Sequence, residues 1–121
     1  MKYKLELSGE QMQMIANALE TVTRLECGQL SELDSLFFGR DYSRNKSDVL
    51  IKQLKSLIFP ELHTSSHYGL NGMSKYQREK YDIYKQILSV IYRDKGIENT
   101  VHSYEHGLCL KENKIKISVD K

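Results

Sequence analysis

A chain of 121 residues has room for one hydrophobic core, so a single domain over residues 1–121 is expected. Its 40% apolar and 28% charged residues exclude a disordered tail and a fibrous repeat. Eighteen basic against 16 acidic side chains leave a formal net charge of +2, too balanced for binding nucleic-acid polymers or membranes by bulk electrostatics.

In residues 1–7, Tyr3, Leu5 and Leu7 share one side of an extended segment, with Lys2, Lys4 and Glu6 on the other. That alternation predicts a half-buried strand. The segment has neither the apolar region nor the cleavage site of a signal peptide, and no apolar run nears the ~18 residues of a spanning helix. Cys27 and Cys109 follow no spacing pattern and read as reduced thiols of a cytosolic protein.

Ser8-Gly9-Glu10-Gln11 has the Ser-x-x-Gln spacing of a capping box. Met12, Ile15, Leu19, Val22, Leu25 or Glu26, Leu30, Leu33 and Phe37 then follow in steps of three and four, predicting one long amphipathic helix. About 28 residues at 1.5 Å each span ~42 Å, against a radius of gyration near ~14 Å for such a domain. A stripe that long suggests packing against a second copy. Gly28 within it costs about 1 kcal/mol relative to alanine, which implies a close approach to the backbone there.

Residues 39–46 are polar and read as a loop, after which Ser47 caps a second helix. Leu50, Ile51, Leu54, Leu57 and Ile58 mark its apolar face, and Phe59-Pro60 ends it. Residues 61–73 form a long polar connector of the kind that often carries function. Ser74-Lys75-Tyr76-Gln77 is a second capping box, and the third helix runs through Tyr84, Ile87, Leu88 and Ile91 to a stop at Gly96. Leu108 and Leu110, then Ile115, Ile117 and Val119, alternate about a turn at Glu112-Asn113 and predict a β-hairpin, with a further strand near Val101 and Ser103. The expected fold is α+β: a long N-terminal helix and two further helices packed on a small antiparallel sheet made from the N-terminal strand and the C-terminal hairpin.

Catalytic motifs are missing: there is no nucleophile elbow, phosphate loop or dinucleotide fingerprint. His63/His67 and His102/His106 repeat a His-x3-His spacing, with Cys109 nearby, but none is placed on a helix, and surface or pocket histidines outweigh a metal site. His63-Thr64-Ser65 is half of a paired phosphodiesterase signature whose other half is lacking. Cys27 reads as a packing thiol rather than a nucleophile. Arg24 suits either a phosphate clamp or a stem lying over leucines. Tyr68, Tyr76, Tyr81, Tyr84, Tyr92 and Tyr104 cluster with His67, Arg78, Arg93 and His102, a vocabulary that suits nucleotides; helical spacing equally allows Tyr84 in a core.

Three segments carry a resemblance: Arg24-Leu25-Glu26-Cys27-Gly28-Gln29 on the helix that follows Leu5-Glu6-Leu7, His67-Tyr68-Gly69-Leu70, and Tyr81-Asp82-Ile83-Tyr84-Lys85-Gln86-Ile87. Together they resemble small tailed-phage proteins of the Thoeris anti-defence sponge family, the first type described. The sequence departs from that pattern at Leu88, often arginine in the phage set, which puts a phosphate contact from that position in question. The resemblance implies a non-enzymatic protein of the host cytoplasm. It would form homodimers or higher homo-oligomers and sequester a cyclic ADP-ribose isomer, with cyclic oligonucleotides at separate sites in some members. No cofactor, metal or membrane is implied. On this reading Arg24 and Arg93 take phosphate, Tyr68 and Tyr104 stack on bases, His67 and Asn99 bond ribose or base edges, and Tyr84 completes the candidate set. The rival expectation is a phage inhibitor that binds a host defence protein directly, of anti-CRISPR or anti-restriction type, with the 40–46 loop as its epitope.

Overall fold

The computed structural model describes residues 1–96 and 115–120. Its elements are α1 (Gly9–Glu26), α2 (Glu32–Leu36), α3 (Arg44–Ile58), a 3₁₀ turn at Leu70–Gly72, and α4 (Lys75–Asp94). The chain divides into two compact units, one of Met1–Glu20 with Lys75–Lys121 and one of Thr21–Ser74.

The described residues contain no strand, which overturns the expected α+β fold. An amphipathic strand persists only where a neighbour pairs with its backbone and covers its apolar side. Among the described residues, residues 1–8 have no such neighbour: Tyr3 and Leu5 are 86% and 75% exposed. Residues 115–120 are irregular, and the first of them is held by the α4 side chain Gln86. Its Oε1 accepts the Ile115 N–H at 2.8 Å while its Nε2 donates to the Asp82 carbonyl at 3.0 Å. The strand expected near Val101 and Ser103 and the Leu108–Leu110 arm of the hairpin lie outside the described residues.

In the first unit, Ser8 and Gln11 form the expected capping box, with the Gln11 N–H on Ser8 Oγ at 3.1 Å and the Ser8 N–H on Gln11 Oε1 at 2.9 Å. That start sets the register of α1. Met12, Ile15, Ala16 and Leu19 then face α4, where Tyr84, Ile87 and Leu88 complete a buried core, and Ile115 and Ile117 pack on it. Tyr81 meets Tyr84 edge-on, with centroids 5.2 Å apart. The helix α4 begins directly after Ser74, and the chain turns at Gly96, whose φ of 72° suits glycine.

The second unit corrects the long helix. α1 stops at Glu26 after 18 residues, about 27 Å at 1.5 Å per residue. The helix-length argument for a second copy therefore does not hold. Gly28 is not within a helix but just past its end, at φ 102°. The Gln29 N–H bonds the Arg24 carbonyl (2.9 Å) and the Gly28 N–H the Leu25 carbonyl (3.1 Å). Those two bonds are a Schellman motif with glycine in its usual place. The three-four periodicity of Leu30, Leu33 and Phe37 continues across this break into the short α2, so spacing alone conceals the stop.

The cap of α3 is Ser43 rather than Ser47, its side chain accepting the Lys46 N–H at 3.2 Å. The expected apolar face of α3 is largely open to solvent, with Leu50 64%, Leu57 78% and Ile58 53% exposed. The residue that α3 buries is Lys55.

Asp34 of α2 ties the start of α3 in place. It accepts from the Tyr42 hydroxyl at 2.6 Å and from Arg44 at 3.1 Å, and the Arg44 guanidinium lies 3.9 Å from the Tyr42 ring centroid. The Tyr42 hydrogen bond foremost, with Arg44 adding to it, holds the Asp34 carboxyl below the ordinary aspartate range. The same bond raises the Tyr42 phenol. A depressed folded-state carboxyl stabilises above its unfolded pKa, and that contribution disappears as pH falls through the folded value. The raised phenol acts in the opposite sense: its contribution is complete below the ordinary tyrosine pKa and disappears as pH rises through the folded value. Tyr42→Phe is expected to move the Asp34 titration midpoint upward, read by carboxyl-carbon NMR. An unmoved midpoint would show that the hydroxyl does not hold the carboxylate.

Candidate functional site at the Gly28 and Tyr68 junction

The Schellman turn at Gly28 leaves the Cys27 carbonyl directed away from α1. That carbonyl accepts the Tyr68 N–H at 2.8 Å, which joins segment 24–29 to segment 67–70. The tight approach comes from Leu62, with His67 and Lys55 at ordinary contact. A Cβ on Gly28 would sit 2.8 Å from Leu62 Cδ1, 3.9 Å from His67 Cα and 4.0 Å from Lys55 Cε. The Cys27 thiol is 5% exposed and donates to the Arg24 carbonyl at 3.1 Å, in keeping with a packing role.

Loop 59–73 folds over this junction around two side chains. Lys55 is 7% exposed, and its ammonium donates to the Thr64 carbonyl at 3.0 Å and to the Ser66 carbonyl. Tyr68 is half-buried. Its hydroxyl donates to Glu61 at 2.5 Å, its ring lies 6.3 Å from that of Phe59, and a Cβ on Gly72 would meet its Cδ1 at 2.8 Å. The hydroxyl bond lowers the Glu61 carboxyl and raises the Tyr68 phenol. His67 is exposed, with Nδ1 3.1 Å from the Tyr68 carbonyl. A carbonyl can only accept, so that contact assigns the proton to Nδ1 and leaves Nε2 as the acceptor of a neutral ring.

Arg24 lies one turn before Gly28. Its guanidinium donates to Glu32 at 3.0 Å, with the Arg24 side chain 44% exposed. An incoming phosphate would compete with the Glu32 carboxylate for a partly solvated, oriented guanidinium.

Of the seven candidate ligand residues, the second unit thus contains Arg24, His67 and Tyr68. Tyr84 and Arg93 belong to the first unit, on α4. Tyr84 is 8% exposed within the core cluster, and Arg93 is exposed in the last turn of α4. Asn99 and Tyr104 lie outside the described residues, as do His102, His106 and Cys109. The His63 ring engages Ser65 of its own turn at 3.1 Å, and among the described residues no group of three or more His, Cys, Asp or Glu could hold a metal ion. No helix among them is long and apolar enough to cross a membrane. Sequence reasoning missed Lys55, Glu61 and Glu32. A lysine inside a helical run gives no sign of burial, and both glutamates matter only through partners seven or eight residues away.

In comparison with known proteins, the chain matches no family model, no curated protein and no solved structure.

Proposed function

We propose that the chain sequesters a cyclic nucleotide signal, a cyclic ADP-ribose isomer or relative, without degrading it, in the host cytoplasm during phage infection. The observation that supports this reading most is the Tyr68 N–H to Cys27 carbonyl bond. It makes neighbours of two of the three segments on which the sponge resemblance rests. Arg24 then offers phosphate a charged fork, Tyr68 offers a base an aromatic surface, and His67 offers an acceptor at Nε2. Sequestration needs affinity alone, so a few such side chains suffice.

The test is retention. Purified protein is mixed with cyclic ADP-ribose isomers, freed of unbound nucleotide and heat-denatured, and the released material is assayed. Intact nucleotide is expected. Arg24→Ala and Tyr68→Ala are each expected to weaken binding roughly 5–100-fold, since a charge-assisted pair or a stacked base is worth ~1–3 kcal/mol. Tyr68→Phe retains the ring and should cost less. Release of a converted product would indicate an enzyme instead.

A second reading has its own support. Phe37 and Phe38 are 52% and 84% exposed, directly before the 40–46 loop, and exposed aromatics are common anchors in protein interfaces. A direct inhibitor of a host defence protein would use them, and would retain no nucleotide in the same assay.

A further inference from the structure

We propose that His67 decides which base the site takes: its Nε2 accepts a hydrogen from the exocyclic amine of adenine, so amino purines are selected over keto purines. The proposal rests on the sequestration reading and adds to it the base that is read and the atom that reads it.

The selection follows from a proton that the backbone places. The Tyr68 carbonyl lies 3.1 Å from His67 Nδ1 and can only accept, so the ring proton sits on Nδ1 and Nε2 presents a lone pair. Tyr68 is itself tied at two further points. Its N–H donates to the Cys27 carbonyl at 2.8 Å and its hydroxyl to Glu61 at 2.5 Å. The His67 backbone is held against the Schellman turn, with Cα 3.9 Å from where a Cβ on Gly28 would stand. The acceptor is therefore oriented before any ligand arrives. It is also accessible: His67 is exposed, and the Tyr68 ring beside it is half-buried. On the other side of Tyr68, Gly69 has an ordinary φ of −82°, and nothing lies within 4 Å of a Cβ there. The space next to this pair of rings is open to a planar base.

A base stacked on the exposed part of the Tyr68 ring would meet Nε2 with its polar edge. Adenine brings an N–H to that edge. Hypoxanthine brings a carbonyl oxygen in the same place, and its lone pair opposes that of Nε2. The ring accommodates the keto base only by moving its proton to Nε2 and giving up the bond to the Tyr68 carbonyl. The preference is thus bounded by the value of that one bond, roughly 2–12-fold. A ribose hydroxyl both donates and accepts, so a ribose contact at Nε2 would produce no preference between the two bases.

The experiment is binding at about pH 8, where imidazole is ordinarily neutral. The probes are a cyclic ADP-ribose isomer closed from ribose to ribose, which leaves the adenine amine free, and its hypoxanthine counterpart. The parent should bind the adenine form roughly 2–12-fold more tightly. His67→Asn keeps an amide that can donate to the Tyr68 carbonyl and lacks the Nε2 acceptor, so it should bind the two forms alike. Long-range proton–nitrogen NMR of the free protein should show the His67 proton on Nδ1, a readout that needs no nucleotide. Equal affinity of the parent for the two forms overturns the proposal and leaves sequestration standing. So does a preference that survives in His67→Asn. A ring proton on Nε2 overturns it independently of any binding result, and retention of neither nucleotide overturns both readings.

Discussion

Gly28→Ala is expected to destabilise the protein by about 2 kcal/mol and lower its melting temperature on the order of 5–10 °C. Most of the cost is conformational. A φ of 102° is open to glycine and strained for any residue with a Cβ, and left-handed backbone costs roughly 1–2 kcal/mol. The steric part is smaller. The new methyl would meet Leu62 Cδ1 at 2.8 Å, but that atom is the end of a flexible side chain that can shift. Gly39→Ala is the control: nothing lies within 4 Å of a Cβ there and its φ is not positive, so a change within ~0.5 kcal/mol is expected. A local effect should accompany the global one. Any shift of the Schellman turn moves the Cys27 carbonyl and lengthens its bond to the Tyr68 N–H, so that amide should exchange faster in the variant. Equal melting temperatures for Gly28→Ala and the parent would mean that the turn does not depend on glycine.

The same glycine shows where sequence reading succeeds and fails on this chain. Local chemistry was legible in places, though the stop at Gly28 and the Ser43 cap of α3, equally local, were missed. The Ser8 and Gln11 box, the stop at Gly96 and the end of α3 before Pro60 each depend on residues within one turn of one another. Periodicity misled wherever its meaning depended on distant partners. Leu30, Leu33 and Phe37 continue the α1 rhythm past a glycine that ends the helix, so the pattern reports amphipathic turns rather than one rod. The Ile115, Ile117 and Val119 alternation is real, yet the backbone N–H of Ile115 is satisfied by a glutamine on a helix, which no strand pattern encodes. Leu50, Leu54 and Leu57 mark a helix face correctly but not whether this chain covers it. At the candidate site, Arg24, His67 and Tyr68 were legible as residue types. Their partners Glu32 and Glu61, and the lysine that closes the loop, emerge only once the segments meet.

That lysine carries the second large effect. Lys55→Met is expected to change global stability by only about 1 kcal/mol while raising amide exchange across residues 63–68 by roughly 10–100-fold. The two parts follow from opposing terms. Methionine keeps the apolar stem and removes a buried ammonium whose desolvation is costly, which favours the variant. It also removes two hydrogen bonds to a charged donor, each worth ~1.5–3 kcal/mol. The carbonyls of Thr64 and Ser66 then lack their partner. Both residues are exposed, so the loop can recover much of that loss by opening and hydrating the carbonyls. The penalty is thus taken locally, in the segment that places His67 and Tyr68. Nucleotide retention should fall with loop protection, while the bond between Tyr42 and Asp34 elsewhere in the unit stays intact. Exchange at 63–68 indistinguishable from the parent would show that Lys55 does not close the loop, and His67 and Tyr68 would then owe their placement to the Cys27 carbonyl and Glu61 alone.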